Sequence, residues 1–399
     1  MTIRLMKALD HALGLPLCTA LAVVATVEKR LRRAPLPGSG WAPRRVVVQK
    51  FFGLGSLALM MPLLRALRER YPECEIELVT FESNVPLLRR FEITKTTGIS
   101  PDRPARFVAQ TLCCLLRRIM RPADVVVDLE FLSKYSTMMA FFASRKRRIG
   151  FDLASFWRRG ILTDIIYFNC ARHIQDIYGM VASSLDAQAF YRPDESPAAS
   201  PRREAHERVR AMFEEWSGGD GEARWLAVNV HAGEMVLARR WSLEKFARVV
   251  ERAVRELGAY IVFTGSAQER PRSERCIAML APDVRTQAFN AAGATTLDEL
   301  LELLRCVRVL LTNDSGPLHL AAVIGTPTVS IWGPVNPGLY APRGPEHHTV
   351  YLHYPCSPCM YIYRTEAGRY CNFEHPCMET LGEDIVFEAL QRAWQGADA

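Results

Sequence analysis

The stretch LLTNDSGPLHLAAVIGTPTVSIWGP, residues 310 to 334, sets Asn313, Asp314, Ser315 and Gly316 between two apolar runs. In an open α/β sheet, ligands gather at the carboxyl ends of strands, where loops run into helix N-termini. Ser315 suits an N-cap, Pro317 the first helical turn, and Gly325 the far end of the same helix. The first N–H groups of that helix, with the positive end of its dipole, form an anion site. Gly316 lets a phosphate approach the backbone, and His319, one turn on, adds a donor. The stretch therefore reads as a pyrophosphate cradle; the plainer alternative is a capped helix after a buried strand. NVHAGEMVLARRWSLEKF (229 to 246) brings Arg239 and Arg240 to a loop before another helix. FTGSAQE (263 to 269) ends a further strand with Gly265 and Glu269. Cations, a helix start and a carboxylate at successive strand ends suit a nucleoside diphosphate with a hydroxyl to grip.

A second constellation lies near the carboxyl end. Cys356, Cys359, Cys371 and Cys377 follow the spacing C-x2-C-x11-C-x5-C, with His375 as a spare ligand. Four thiolates suit a closed, structural Zn or Fe site. Buried free thiols or two disulfides are the other readings.

These residues need two sets of alternating elements to position them. RRVVVQKF (44 to 51), CEIELVTF (74 to 81), ADVVVDLEF (123 to 131) and RRIGFD (147 to 152) read as strands, with helices between. One of these helices carries the stripe Leu57, Met60, Met61, Leu64 and Leu67. Residues 191 to 223 are rich in Pro, Ser, Gly and charge, with one helix at 203 to 216, and read as a linker. The pattern then restarts with strands at 225 to 230, 259 to 265, 307 to 313 and TVSIWG, and helices at 242 to 257, 268 to 281 and 296 to 305. Strands alternating with helices argue for parallel α/β sheets. The expected organisation is an N-terminal segment (1 to 43), a first Rossmann-like domain (44 to 190), the linker (191 to 223) and a second Rossmann-like domain (224 to 382). A terminal helix (383 to 399) is free to pack back across the boundary.

The chain has 399 residues, too many for one ordinary core, and a hydrophobic fraction of 49% with 23% charged residues, as in soluble globular proteins. The net charge of +7 is modest, and no nucleic-acid partner is read from it. Arg117, Arg118 and Arg121 form one basic cluster and Arg145, Lys146, Arg147 and Arg148 another; such clusters suit phosphate or carboxylate, or simply a solvated helix end. Eleven cysteines, an odd number, favour a reducing compartment. No G-x-G-x-x-G follows the first strand, since GLGSLA ends in Ala, which argues against a nicotinamide dehydrogenase. Residues 12 to 27, ALGLPLCTALAVVATV, carry no charge and lie between Arg4 and Lys7 on one side and Lys29, Arg30, Arg32 and Arg33 on the other. Interrupted by Pro16, they fall short of the ~20 residues of a membrane span. The expectation is an interfacial anchor on anionic lipid. A cleaved leader, with VVA before Thr26, and a helix packed on the body are the alternatives.

Several stretches together resemble glycosyltransferase family 9, the heptosyltransferases of lipopolysaccharide synthesis. They are TNDSGPLHLAAVIGTPTVSIWGP, ARRWSLEKFARVV, VFTGSAQE and AAGATTLDELLELLR, with VVVQKFFGLGSLALMMPLLRALRERYPECEIELVTF and DVVVDLEFLSKYSTMMAFFASRKRRIGFD in the amino half. The likeness covers about residues 44 to 390. It implies a GT-B architecture, two Rossmann-like domains with parallel sheets facing a central cleft, and a nucleotide-activated sugar such as ADP-heptose. Asp314, Ser315, Gly316 and His319 would hold sugar and diphosphate. Arg239 stands where the family usually has a Lys, and Arg148 lies near the place for an anionic glycan or lipid-linked acceptor. The resemblance implies inverting transfer without a catalytic cofactor, at the cytoplasmic face of the inner membrane. In some members a similar cysteine cluster is an iron-binding finger.

One departure stands out. The family's glycine loop reads Leu-Gly-Asp, whose Asp is the presumed general base; this chain reads Leu54-Gly55-Ser56. A hydroxyl is too weak a base for the acceptor proton unaided. Carboxylates expected at strand ends, Glu130 first, then Glu82 and Asp128, are the substitutes, while Ser56 would cap its helix. The alternative is a catalytically degenerate member that binds sugar nucleotide or glycan as a partner subunit. The motifs leave the sugar, the base, the acceptor and the oligomeric state open.

Overall fold

The structure, a computed structural model, describes residues 10–31, 41–89, 95–131, 133–152, 156–189, 202–233, 237–360, 371 and 376–397. The chain forms two units, one from Met1–Gly53 and Met60–Tyr191, the other from Leu54–Leu59 and Arg192–Ala399.

The first unit carries strands β1 (Arg45–Gln49), β2 (Glu75–Phe81), β3 (Lys95–Ile99), β4 (Ala123–Asp128), β5 (Ser144–Asp152) and β6 (Asp164–Tyr167). All pairs are parallel and the order is β3-β2-β1-β4-β5-β6. The second carries β7 (Arg224–Asn229), β8 (Ala259–Phe263), β9 (Ala288–Asn290), β10 (Val309–Asn313), β11 (Thr328–Trp332) and β12 (His347–Tyr351), also parallel, in the order β12-β11-β10-β7-β8-β9. Each is the Rossmann order 3-2-1-4-5-6, so each has a switch point beside its first strand where neighbouring loops diverge. Val46–Val48 and Val125–Val127 are wholly buried, as strands covered on both faces must be.

The principal helices are α1 (Gly14–Leu31), α2 (Leu54–Leu59), α3 (Met61–Arg70), α4 (Pro104–Met120), α5 (Lys134–Ala143), α6 (Phe156–Ile161), α7 (Ile174–Ser183), α8 (Arg203–Trp216), α9 (Leu243–Leu257), α10 (Arg270–Met279), α11 (Leu297–Cys306), α12 (Gly316–Val323) and α13 (Glu383–Gly396). The stripe expected on one helix from Leu57 to Leu67 is split between α2 and α3. Pro62 stands in the first turn of α3, where its missing N–H is harmless, whereas inside a continuous helix it would break the ladder. The break has a consequence: α2 belongs with the second unit and α3 with the first.

The segment expected to link the domains is partly outside the described residues, but α8 is built into the second unit. Phe213 stacks on Trp225 at 4.3 Å and Trp216 on Phe289 at 5.2 Å. The terminal helix α13 also joins that unit's core, with Val386, Phe387 and Leu390 buried beside α9 and the central strands.

In α1, Pro16 lies in the first turn and does not interrupt the helix. With the turn before it, Asp10–Leu31 is 22 residues and, by length and composition alone, apolar enough to cross a membrane. One face is nevertheless packed on the first unit: Cys18, Leu21 and Ala22 cluster with Trp157 and Ile161. The approach to α6 is close, since a Cβ on Gly160 would stand 2.6 Å from that of Ala22. Asp10 accepts the N–H groups of Lys134 and Tyr135 at the start of α5, and Lys29 Nζ donates to the carbonyl of Gly160. Arg4, Lys7, Arg32 and Arg33 lie outside the described residues.

Candidate functional site

The second unit's switch point falls between β7 and β10, and polar residues end the strands around it. Asn313 closes β10; its Oδ1 accepts the N–H of Trp241 at 3.0 Å and its Nδ2 donates to the carbonyl of His231 at 3.2 Å. These bonds fix the β7 loop to the β10 end, with the fully buried Trp241 as anchor, its indole N–H on Leu381 O. Arg239 is thereby set beside Asp314, Nη1 to Oδ2 at 3.1 Å, and its Nη2 donates to Ala232 O.

Ser315 occupies the N-cap position of α12, as expected, but its hydroxyl pairs with Thr312 Oγ1 at 2.9 Å and does not cap. Among the described residues no side chain caps the helix start, so its first amides are open to an anion. Pro317 is in the first turn, and Gly325 takes φ +83° beyond the last, both as the sequence implied. His319 is buried one turn in, its Nε2 3.9 Å from Asp314 Oδ1. Burial pushes its pKa down to about 4; Asp314 opposes that and Arg239 adds to it. The ring is neutral at pH 7, a donor or acceptor and not a cation.

The third cluster stands at the ends of β7 and β8. Glu269 Oε2 accepts the N–H and hydroxyl of Ser266 at 2.9 and 3.0 Å, while Oε1 lies 4.0 Å from His231 Nδ1. His231 is buried against Gly265 and Ser273, its pKa driven to about 4 by burial, with Glu269 opposing and Arg272 and Arg240 adding. Among the described residues, His231 Nδ1, Arg239 Nε, Arg240 Nε, Thr264 Oγ1, Asn290 Nδ2 and His319 Nδ1 are buried without a hydrogen-bond partner. Unpaired buried polar atoms are costly, and these six make the strand ends of the second sheet the candidate site for a polar ligand or ordered water. His231, Thr264 and Asn290 were not singled out from sequence. The signal was there: Asn229, Thr264, Asn290 and Asn313 each stand at or just beyond the end of one of four neighbouring strands.

Helix α2 meets this region within the second unit. A Cβ on Gly55 would stand 2.3 Å from His319 Cδ2, so only glycine fits. Ser56 lies inside α2 and does not cap it.

The expected base candidates are in the first unit. Glu130 is buried, and its Oε1 accepts from Lys50 Nζ at 2.9 Å, Phe51 N at 2.7 Å and Phe52 N at 3.0 Å. Asp128 is wholly buried; burial raises its pKa, Arg158 lowers it and Glu130 raises it. Its carboxylate accepts from Ser136 and Thr137 and pairs with Arg158 at 3.1 Å. Glu82 is half-exposed and pairs with Arg106 at 2.9 Å. Arg148, expected near the acceptor, is wholly buried, bonded to the carbonyls of Ile161 and Ser144 and 3.4 Å from Glu28. Its neighbours are likewise committed, Arg147 to Asp164 and Lys146 to Asp124. Arg147 and Lys146 thus tie β5 to its neighbours β6 and β4, and the buried Arg148 is held by partners, as a guanidinium removed from water must be.

Of the four cysteines, Cys356 is exposed, Cys359 and Cys371 half-buried and Cys377 buried. Burial and then the other three thiols push Cys377 up to about 11; burial, Cys356 and Cys371 raise Cys359. The thiols are thus gathered, yet among the described residues no three His, Cys, Asp or Glu side chains form a metal-binding group. His375 lies outside the described residues.

Residues 114–368 match the family model for glycosyltransferase family 9 (heptosyltransferase). The chain belongs to this family. A curated relative, lipooligosaccharide heptosyltransferase 2 of Haemophilus influenzae, is 25% identical over 301 residues, 74% of this chain and 85% of its own. Among solved structures, a family 9 glycosyltransferase from Veillonella parvula superposes with a TM-score of 0.75 at 19% identity, covering 90% of this chain and all of the other. E. coli ADP-heptose LPS heptosyltransferase II does so with 0.68 at 20%, over 89% and all. The family 9 chain thus has the GT-B fold, and its parallel sheets are the expected pair.

Proposed function

We propose that this family 9 protein is an inverting glycosyltransferase that moves a heptose or related sugar from a nucleoside diphosphate, ADP-heptose first, to a lipopolysaccharide-core or similar anionic, lipid-linked acceptor. The observation that carries the reading is the Arg239–Asp314 pair beside the uncapped start of α12 at the switch point of the second sheet. There Arg239, Arg240 and the amides around Ser315 and Gly316 would neutralise the departing diphosphate, so that no metal is needed. His319 would donate to it as a neutral ring. Gly265 gives the backbone room, and Glu269, with Thr264 and Asn290, would take the nucleoside hydroxyls and base.

Removal of the acceptor proton is assigned to Glu82. Glu130 accepts from Lys50 and the Phe51 and Phe52 amides through Oε1 alone and would hold the loop before Gly55 in place. Because Ser56 replaces a carboxylate, a second reading stands: a degenerate member that binds a sugar nucleotide without transferring it. Thermal-shift titration with ADP-, GDP-, UDP-, dTDP- and CMP-sugars, followed by release of nucleotide in the presence of acceptor, separates the two. Stabilisation by ADP-heptose with acceptor-dependent ADP release is expected. Stabilisation without release selects the binding protein, and no shift with any diphosphate overturns the donor site.

The thiol cluster would be structural, outside the transfer step. One bound Zn or Fe per chain by elemental analysis would support the metal, whereas four titratable thiols and no metal would leave it as buried cysteine. A lipid-linked acceptor places the protein at a membrane, as a peripheral protein of the cytoplasmic face.

A further inference from the structure

Helix α4 is apolar on two sides. Phe107, Cys114 and Leu115 pack into the first unit's core, as an amphipathic helix requires. The opposite side should be polar, yet Val108, Leu112, Leu116, Ile119 and Met120 are each between 51% and 73% exposed. They recur at spacings of three and four, one continuous stripe along a helix roughly 25 Å long. Helix α1 repeats the arrangement: with Cys18, Leu21, Ala22 and Ala25 against the body, Leu17, Val23, Val24, Val27 and Leu31 are exposed, as is Leu13 just before it. Both helices pack on α5, so the two stripes flank one helix.

We propose that the exposed faces of α4 and α1 together form a docking surface for an anionic phospholipid bilayer, lying in its interface and not crossing it. The proposal rests on the lipid-linked acceptor reading only for its purpose; the surface itself is argued from the side chains. Charge chooses the occupant. α4 contains no acidic residue; Arg118 is buried on Glu77 and Arg106 pairs with Glu82, which leaves Arg117 on the helix and Arg103 and Arg121 flanking it, with the acid Asp102 beside Arg103. Arg103, Arg117 and Arg121 are exposed at the two ends of the stripe, where headgroup phosphates would meet them. A second copy fits poorly, because a two-fold pairing of α4 would set arginine ends against arginine ends with no helix carboxylate between. Helix α1 cannot cross a membrane while its inner face is packed on α5 and α6, and its ends are pinned through Asp10, Glu28 and Lys29. A helix held that way, with its free face apolar, lies in the plane of the interface.

The test is flotation of the full chain, without donor or acceptor, on vesicles of phosphatidylglycerol with phosphatidylethanolamine and on phosphatidylcholine alone. Binding to the anionic vesicles, weakened by salt, is expected. Leu112→Glu with Leu116→Glu should lower the partition coefficient at least ~10-fold while leaving the unfolding midpoint unchanged, since both side chains face water. Arg117→Glu with Arg121→Glu is the second variant, and should abolish the preference for anionic lipid. Binding that survives both α4 variants, equal binding to phosphatidylcholine, or no vesicle binding but a dimer dissolved by the leucine variant would each overturn the surface. Donor thermal shifts on the same preparation read the glycosyltransferase proposal separately, so either can fail alone.

Discussion

The two sheets have the same strand order and nearly opposite strand ends. In the first unit, Lys50, Asp128, Glu130 and Arg158 form a closed set of two cations and two anions. Each carboxylate is met by charge, hydroxyl or amide, and Arg158 also donates to the carbonyls of Phe151 and Glu130. In the second, Asn313 and Asp314 fix the loops, but among the described residues histidine, arginine, threonine and asparagine atoms around them remain unpartnered, against Gln49 Oε1 at the end of β1 in the first. Identical topology is thus spent in two ways. A satisfied network specifies a shape, whereas an unsatisfied one leaves groups that a bound polar ligand or water can pair.

The largest effect should come from opening the closed set. Arg158→Met leaves Asp128 buried without its cation, and loss of one partner of a buried pair costs about 3–5 kcal/mol. Urea unfolding should show that loss, with ADP binding unchanged in whatever fraction stays folded. An equal loss of ADP affinity would show that the two sheet ends are not functionally separate.

Acid should act chiefly on the second unit. His231 and His319 titrate near about 4 when folded, below the 6.5 of a free histidine. Between those values the unfolded chain binds more protons, so stability is present above about 6.5 and is lost as pH falls toward about 4. The loss should be on the order of 3 kcal/mol for each ring. His319→Gln should flatten the pH dependence of the unfolding free energy; an unchanged slope would mean the ring is not held neutral.

Next is Arg239→Ala. A charge-assisted contact to phosphate is worth about 1.5–3 kcal/mol, so ADP affinity should fall by about one to two decades in calorimetry. The fold should change less, because the loop keeps its Trp241–Asn313 and Asn313–His231 bonds. Arg239→Lys should restore part of the affinity as a point charge without the fork.

How much of this was legible follows from burial. The strands VVV in β1 and β4, and those of β7, β8, β10 and β11, stand out because both faces are covered. The edge strands β3 (KTTGI), β6 (DIIY), β9 (AFN) and β12 (HHTVY) were not read, being short and partly polar, as edges with one neighbour are free to be. The Asn-Asp-Ser-Gly turn was legible because it breaks an apolar pattern. That Ser315 turns to Thr312 was not, since it depends on a rotamer, and Arg148 misled because a run of basic residues looks the same in solution and in a brace. The outer stripe of α4 was not read: PARFVAQTLCCLLRRIM has apolar residues on more than one side, and only its position on the first unit shows which side is uncovered.

The smallest effect sharpens the comparison most. Glu82 and Arg106 pair at 2.9 Å with each side chain about half exposed, and such pairs are worth about 0–1 kcal/mol. Glu82→Gln should therefore leave the urea midpoint almost unmoved, unlike Glu130→Gln, which disturbs three donors at once. That inertness makes it the clean probe of chemistry. If Glu82 accepts the acceptor's proton, turnover should fall while ADP affinity and stability stay at wild-type values, and Ser56→Asp should recover part of the rate by supplying a carboxylate on α2. If turnover is untouched, the exposed pair is only a surface contact, and the proton must leave by another group.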